Sequence, residues 1–244
     1  MLLGLVLAEL LIWDIADKIR TLISYRWAVA AVERKTTGRA RRLFAIARLT
    51  TGLRLRFDAI DFELPQRFIV VSNHQSVMDI VAIMAGFSQH SIRFVAKQEL
   101  RRWFPAVSGT LRLQRHAFVH RGADFRAALR ELDRLAERVA DNVCPVIFPE
   151  GTRSRDGTLG EFHAGAVRRL QTTTGLALVA LAIDGAWQFA RLGDLSRMPE
   201  GHQMSVRCVA VLQPEPGKTG VQRSVEQARA AIEHQITAWR SVRA

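Results

Sequence analysis

The sequence predicts an α/β protein: one domain with a mostly buried mixed sheet flanked by helices, behind an N-terminal helical segment that associates with a membrane. Three observations predict it. Seven apolar stretches rich in β-branched residues recur along the chain, amphipathic helix-like segments separate several of them, and the opening segment joins a short apolar run to a dense basic flank. No Pro/Gly-rich linker and no internal repeat divides the rest, so residues 1–50 form the helical segment and 51–244 the domain.

The N-terminal run Met1–Trp13 carries one charge, Glu9. A bilayer core needs about twenty apolar residues, so this run is too short to span alone. It is also a poor signal peptide: nothing basic precedes it, and Asp14, Asp17, Lys18 and Arg20 separate it from Ala28-Val29-Ala30. From Lys18 to Arg56 there are eleven Lys or Arg residues and one acid, Glu33, with Trp13, Tyr25 and Trp27 punctuating the region. An apolar helix with interfacial aromatics and an Arg-rich flank suits an anionic membrane surface, where each basic residue contributes about 1 kcal/mol. The competing reading is a helix docked on the domain core. Positive-inside bias puts the domain on the cytoplasmic face of the inner (plasma) membrane.

Predicted strands are Leu53–Phe57, Phe68–Ser72, Ile92–Ala96, Ala117–Arg121, Pro145–Phe148, Leu176–Ile183 and Met204–Leu212. The clearest helix runs from Asp124, its N-cap, to Val139, with Phe125, Leu129, Leu132, Leu135 and Val139 on one stripe. The last helix is expected to start at Ser224, with Gln227 completing a capping box, and to carry Val225, Ala228, Ile232, Ile236 and Trp239.

Composition narrows the function. At 48% hydrophobic and 24% charged the chain is not disordered. Its 35 Lys and Arg against 23 Asp and Glu give +12, which calls for an anionic partner: nucleic acid, anionic lipid or a phosphate-bearing substrate. Nucleic acid is disfavoured, because the aromatics in the basic stretch suit a membrane interface better than a stacking platform. Two cysteines, Cys144 and Cys208, build neither a disulfide framework nor a zinc finger. No metal site is expected, since His116 and His120 lack a nearby carboxylate or thiol. Gly217-Lys218-Thr219 is no phosphate loop, because Leu212 stands where its first glycine belongs.

Three segments carry chemistry. Phe148-Pro149-Glu150-Gly151-Thr152-Arg153-Ser154 follows an apolar run, so its turn presents a carboxylate, a hydroxyl and a guanidinium at a strand's carboxyl end. In Asn73-His74-Gln75-Ser76-Val77-Met78-Asp79, residues 74 and 79 meet only if His74 lies on the turn before a helix and Asp79 inside it, with Ser72 or Asn73 as N-cap. A carboxylate on one imidazole nitrogen leaves the other free to take a proton. Ser76 raises a Ser-hydrolase alternative, without a G-x-S-x-G elbow to support it. Phe118-Val119-His120-Arg121 places a cation at a strand tip.

These segments, in this order, resemble the glycerolipid acyltransferase family over about Phe68 to Gly185. The resemblance implies an α/β domain behind a membrane-associating helical segment. It implies acyl transfer from acyl-CoA or acyl carrier protein, as substrate and not cofactor, to the free hydroxyl of a lysophospholipid. The expected acceptor is 1-acyl-sn-glycerol-3-phosphate, giving phosphatidic acid. By resemblance His74 is the general base and Asp79 its orienting partner. Arg121, Glu150, Gly151, Thr152 and Arg153, with Lys97 of Ala96-Lys97-Gln98-Glu99-Leu100, hold the acceptor.

The sequence departs from the family pattern at His120, where Asp is common, at the alanines of Leu176–Leu181, where prolines are usual, and in Phe162-His163-Ala164-Gly165, which lacks the usual lysine before its glycine. These departures lie on the acceptor side, which makes lyso-ornithine lipid the alternative acceptor. A non-catalytic basic membrane or nucleic-acid binder is the remote alternative.

Overall fold

A computed structural model describes residues 1–102, 107–119, 125–197 and 200–243. The chain opens on two long helices, α1 (Leu2–Ile23) and α2 (Tyr25–Thr51), which form an antiparallel pair around the extended Ser24. The Ser24 hydroxyl accepts the Trp27 N–H at 3.3 Å and starts α2. The first helix is therefore longer than the apolar run that predicted it. Its polar second half holds because Asp17, buried, accepts Arg39 through both Nη1 (2.5 Å) and Nη2 (2.8 Å) from α2. The opposed Glu9 takes Arg42 Nε at 2.8 Å.

All seven predicted stretches contain strands: β1 (Arg54–Phe57), β2 (Ile69–Ser72), β3 (Ser91–Lys97), β4 (Ala117–Val119), β5 (Val143–Ile147), β6 (Leu178–Asp184) and β7 (Gln203–Leu212). They form a mixed sheet in the order β1-β7-β6-β2-β5-β3-β4, parallel throughout except for the β6–β7 pair. The central strands β2, β5 and β6 are buried at every residue. Such strands read as continuous apolar runs, which is why the sequence located them.

The sheet separates two cores by residue parity. Phe68, Val70, Val179, Leu181 and Ile183 face a core that includes Ala40, Phe44 and Ala47 of α2 and Met78, Ala82 and Ile83 of α3 (Val77–Gly86). Ile69, Val71, Leu178, Ala180 and Ala182 face the other, built with α5 (Phe125–Glu137), α6 (Gly165–Thr174) and α7 (Gly217–Arg243). The short α4 (Val107–Leu113) packs near the helical pair. The inner face of that pair is thus docked on the domain core, while Leu5, Ile12, Ile15, Ile19 and Leu22 of α1 face outward.

The cap of the last helix differs from expectation. Helix α7 begins at Gly217, a turn and more before Ser224, because Val221 lies four residues ahead of Val225 and extends the buried stripe. Ser224 is then inside the helix, with its hydroxyl donating to the Gly220 carbonyl at 3.2 Å, so the expected capping box does not form. The predicted cap Asp124 lies outside the described residues.

Candidate active site

Strand β2 leads into α3 on one face of the sheet, and its neighbour β5 leads towards α6 on the other. Two adjacent parallel strands whose continuations part to opposite faces open a crevice at their carboxyl ends, where ligands bind in open α/β sheets. His74 and the Phe148–Ser154 segment come from these two strand ends.

Helix α3 is capped by Ser76, not by Ser72 or Asn73. Asp79 closes a capping box from inside the first turn, with Oδ2 accepting Gln75 N–H at 2.6 Å and Ser76 N–H at 2.8 Å. The same oxygen lies 2.8 Å from His74 Nδ1. A carboxylate only accepts, so Nδ1 carries the proton and Nε2 is the basic nitrogen. Asp79 is fully buried, whereas His74 keeps a small exposure. The pair thus meets in the arrangement the spacing required, one member on the turn and one in the helix.

Asn73 serves another purpose. Its side chain continues the ladder past β2, donating to the Ile183 carbonyl at 2.8 Å and accepting the Ile183 N–H at 2.9 Å. Ser76 is no nucleophile: its buried hydroxyl donates to the Phe189 carbonyl at 2.6 Å and accepts the Met78 N–H at 3.2 Å. That removes the Ser-hydrolase alternative.

The β5 turn meets this loop directly. Gly151 adopts φ 65°, a left-handed conformation that favours glycine, and its N–H returns to the Phe148 carbonyl at 3.0 Å. The Phe148 ring stacks on the His74 imidazole, centroids 4.0 Å apart. Glu150 Oε1 accepts the His74 N–H at 2.8 Å and Oε2 the Gly160 N–H at 3.0 Å. Burial pushes the Glu150 carboxyl up, against the pull of those two amides. Arg153 Nη1 donates to the Ala190 carbonyl at 2.5 Å, and the N–H of Val77 shares that carbonyl at 3.2 Å. The guanidinium therefore sits at the first turn of α3, beside the His74 loop. Thr152 is exposed on the same turn.

Lys97 ends β3 on the same sheet edge, exposed and paired with Glu99 at 3.0 Å. Its strand lies two away from β2, whose end carries the imidazole. Arg121, with His120, lies outside the described residues. No metal-holding group of His, Cys, Asp or Glu occurs among the described residues. His116 is instead buried, its Nδ1 accepting the Phe94 N–H at 2.9 Å.

Sequence reasoning missed the polar network beneath the site. Buried Gln75 donates to Asp184 Oδ1 at 3.1 Å and accepts the Ala186 N–H at 3.1 Å. Arg240 of α7 reaches Asp184 Oδ1 at 2.7 Å and the Gly157 carbonyl at 2.8 Å. One carboxylate thereby ties the ends of β2, β5 and β6 together. The available signal was an acid closing the otherwise apolar run Leu178–Ile183.

An open α/β sheet with a His–Asp centre in its switch-point crevice sets the class of protein. Within it the chain belongs to the acyltransferase family, whose model matches residues 59–184, just over half of the chain. It is 30% identical over 139 residues to the chloroplastic 1-acyl-sn-glycerol-3-phosphate acyltransferase LPAT1 of Arabidopsis thaliana, covering 55% of this chain and 36% of that one. It is 33% identical over 141 residues to the lyso-ornithine lipid O-acyltransferase of Rhizobium meliloti (strain 1021), covering 55% and 46%. The chain thus spans less than half the length of these curated relatives. The fold resembles that of the 1-acyl-sn-glycerophosphate (LPA) acyltransferase PlsC from Thermotoga maritima. The TM-score is 0.70 at 20% identity, over 98% of this chain and 95% of that one.

Proposed function

We propose that the protein moves an acyl chain from a thioester, acyl-CoA or acyl carrier protein, to the free hydroxyl of a lysophospholipid, with 1-acyl-sn-glycerol-3-phosphate as acceptor and phosphatidic acid as product. The observation that carries this reading is the His74 imidazole: Asp79 holds Nδ1 at 2.8 Å, which leaves Nε2 as the basic nitrogen. His74 Nε2 takes the acceptor's hydroxyl proton as that oxygen attacks the thioester carbonyl carbon. A C–O bond forms and the C–S bond breaks. The thiolate leaves as a thiol with the proton returned from Nε2. Asp79 offsets the imidazolium charge in between. Gly151, Thr152 and Arg153 form the acceptor side of the crevice, joined by Lys97 from the end of β3; the resemblance adds Arg121 to the acceptor's ligands. Arg153 is the phosphate-binding cation among them.

The outward stripe of α1 supports membrane association. Leu5, Ile12, Ile15, Ile19 and Leu22 recur at intervals of three, four or seven, and Tyr25 and Trp27 are exposed at the turn into α2. Among the described residues no helix is long and apolar enough to cross a membrane. In this reading the helical pair associates with the membrane surface, and the domain lies on its cytoplasmic face. Replacing Ile12 and Ile19 by Lys should release the protein from anionic vesicles; undiminished binding would contradict the assignment.

The deciding assay supplies labelled acyl-CoA with lysophosphatidic acid or lyso-ornithine lipid in parallel, beside His74→Ala. The variant should lose about 10²–10⁴-fold in turnover and still bind vesicles; retained turnover sinks the mechanism. Lyso-ornithine lipid is the second reading, favoured by the identity with the Rhizobium meliloti enzyme. Conversion of that lipid alone would select it.

A further inference from the structure

We propose that Glu150 is a positioning residue that holds the His74 turn, and not a ligand of the acceptor. This rests on His74 being the base. Strand β2 ends at Ser72, so the peptide groups of His74 have left the ladder and need partners elsewhere. The β5–α6 loop supplies both: the Glu150 carboxylate accepts the His74 N–H at 2.8 Å, and the Ser154 N–H donates to the His74 carbonyl at 2.8 Å. The loop therefore grips the base residue on both sides of its own peptide.

The second Glu150 oxygen accepts the Gly160 N–H at 3.0 Å, which fixes the carboxylate from behind. A Cβ on Gly160 would stand 2.9 Å from that oxygen, so the absence of a side chain there is what lets the carboxylate seat. With both oxygens on amides, Glu150 has its charge directed at its own backbone. It also bears the wrong sign for a phosphate, which Arg153 on the same turn is suited to bind. Burial favours the neutral acid and the two amides the ionised form, so the carboxylate depends on keeping both bonds.

Two substitutions test this from opposite ends. Glu150→Gln keeps an acceptor for His74 but turns an amide donor towards the Gly160 N–H. Gly160→Ala leaves Glu150 intact and displaces it. Both should lower kcat by about 10- to 100-fold, the scale of a misplaced reacting group, with KM for lysophosphatidic acid unchanged. Both should also shift the His74 Nδ1–H resonance of ¹⁵N-histidine-labelled protein while the circular dichroism spectrum stays that of the parent. A rise in KM at unchanged kcat, or a kcat loss with the resonance unmoved, overturns the proposal. If instead His74→Ala retains turnover, the reading of the base fails first, and the two failures are told apart.

Discussion

The imidazole of His74 and the ring of Phe148 lie 4.0 Å apart and 15° from parallel. The stack continues to Phe94, 6.1 Å on, and from Phe94 to His116 at 5.6 Å. His116 Nε2 faces Gln114 Oε1 at 3.2 Å, and Gln114 Nε2 donates to Thr36 of α2 at 2.8 Å. The face of the base is thus set by a line of rings that ends on the N-terminal helices.

Phe148→Leu should therefore lower turnover by about two- to tenfold, because ring stacking contributes about 0.5–1.5 kcal/mol beyond burial. Phe148→Tyr should restore it. Steady-state kinetics on both variants decides, and parental kcat in the leucine variant would remove the stack from the account.

Asp79→Asn isolates charge from shape. The amide oxygen can take the place of Oδ2 and its three donors, but Oδ1, buried and without a hydrogen-bond partner among the described residues, would become an NH₂ group. An unsatisfied buried donor costs about 1–3 kcal/mol, so denaturant unfolding should show a loss on that scale. Turnover should fall by much more, since nothing then offsets the imidazolium. A kcat loss no larger than the stability loss explains would reduce Asp79 to a helix cap.

Much of this was legible in the sequence, for physical reasons. Val70, Val146 and Val179 sit in strands buried on both faces, whose apolar runs need no structure to find. The His74–Asp79 separation of five excludes one helical face and so foretells a turn. What stayed hidden depends on side chains meeting across the sheet. Glu150 reads as a ligand in a polar turn, and only the fold brings the His74 and Gly160 amides to its two oxygens. Asn73 reads as a cap until β6 lies beside it. Asp17 looks like the polar end of a short helix until Arg39 arrives from α2.

His116 predicts an acid-sensitive fold. Burial, followed by the charges of Arg93 and Arg138, holds its pKa well below the ordinary 6.5. Below pH about 6.5 the unfolded chain binds a proton that the folded chain refuses. Stability is then complete above that pH and falls by at most about 1.4 kcal/mol per pH unit below it. Denaturant unfolding between pH 7.5 and 5 measures the slope, and His116→Gln should be less stable at pH 7.5 yet lack this share of it. An identical slope in the variant would assign the sensitivity elsewhere.

The ion pair of buried Arg93 with partly exposed Glu33 joins β3 to α2. Burial, the largest influence, lowers the Arg93 guanidinium to about 10 despite the opposing charge of Glu33. Arg93 also donates to the carbonyls of Gln114 at 2.6 Å and Ile92 at 2.8 Å, so those bonds persist when the carboxylate is removed. Glu33→Leu should nevertheless cost about 3 kcal/mol, because it strands a buried charge. Arg93→Met alone should cost less, since the Glu33 side chain is 31% exposed and can hydrate. The double variant Glu33→Leu/Arg93→Met should recover much of the first loss, as apolar replacements of buried pairs often do. Urea unfolding of the four proteins closes the cycle; strictly additive losses would show that the pair contributes no coupling between the helical pair and the sheet.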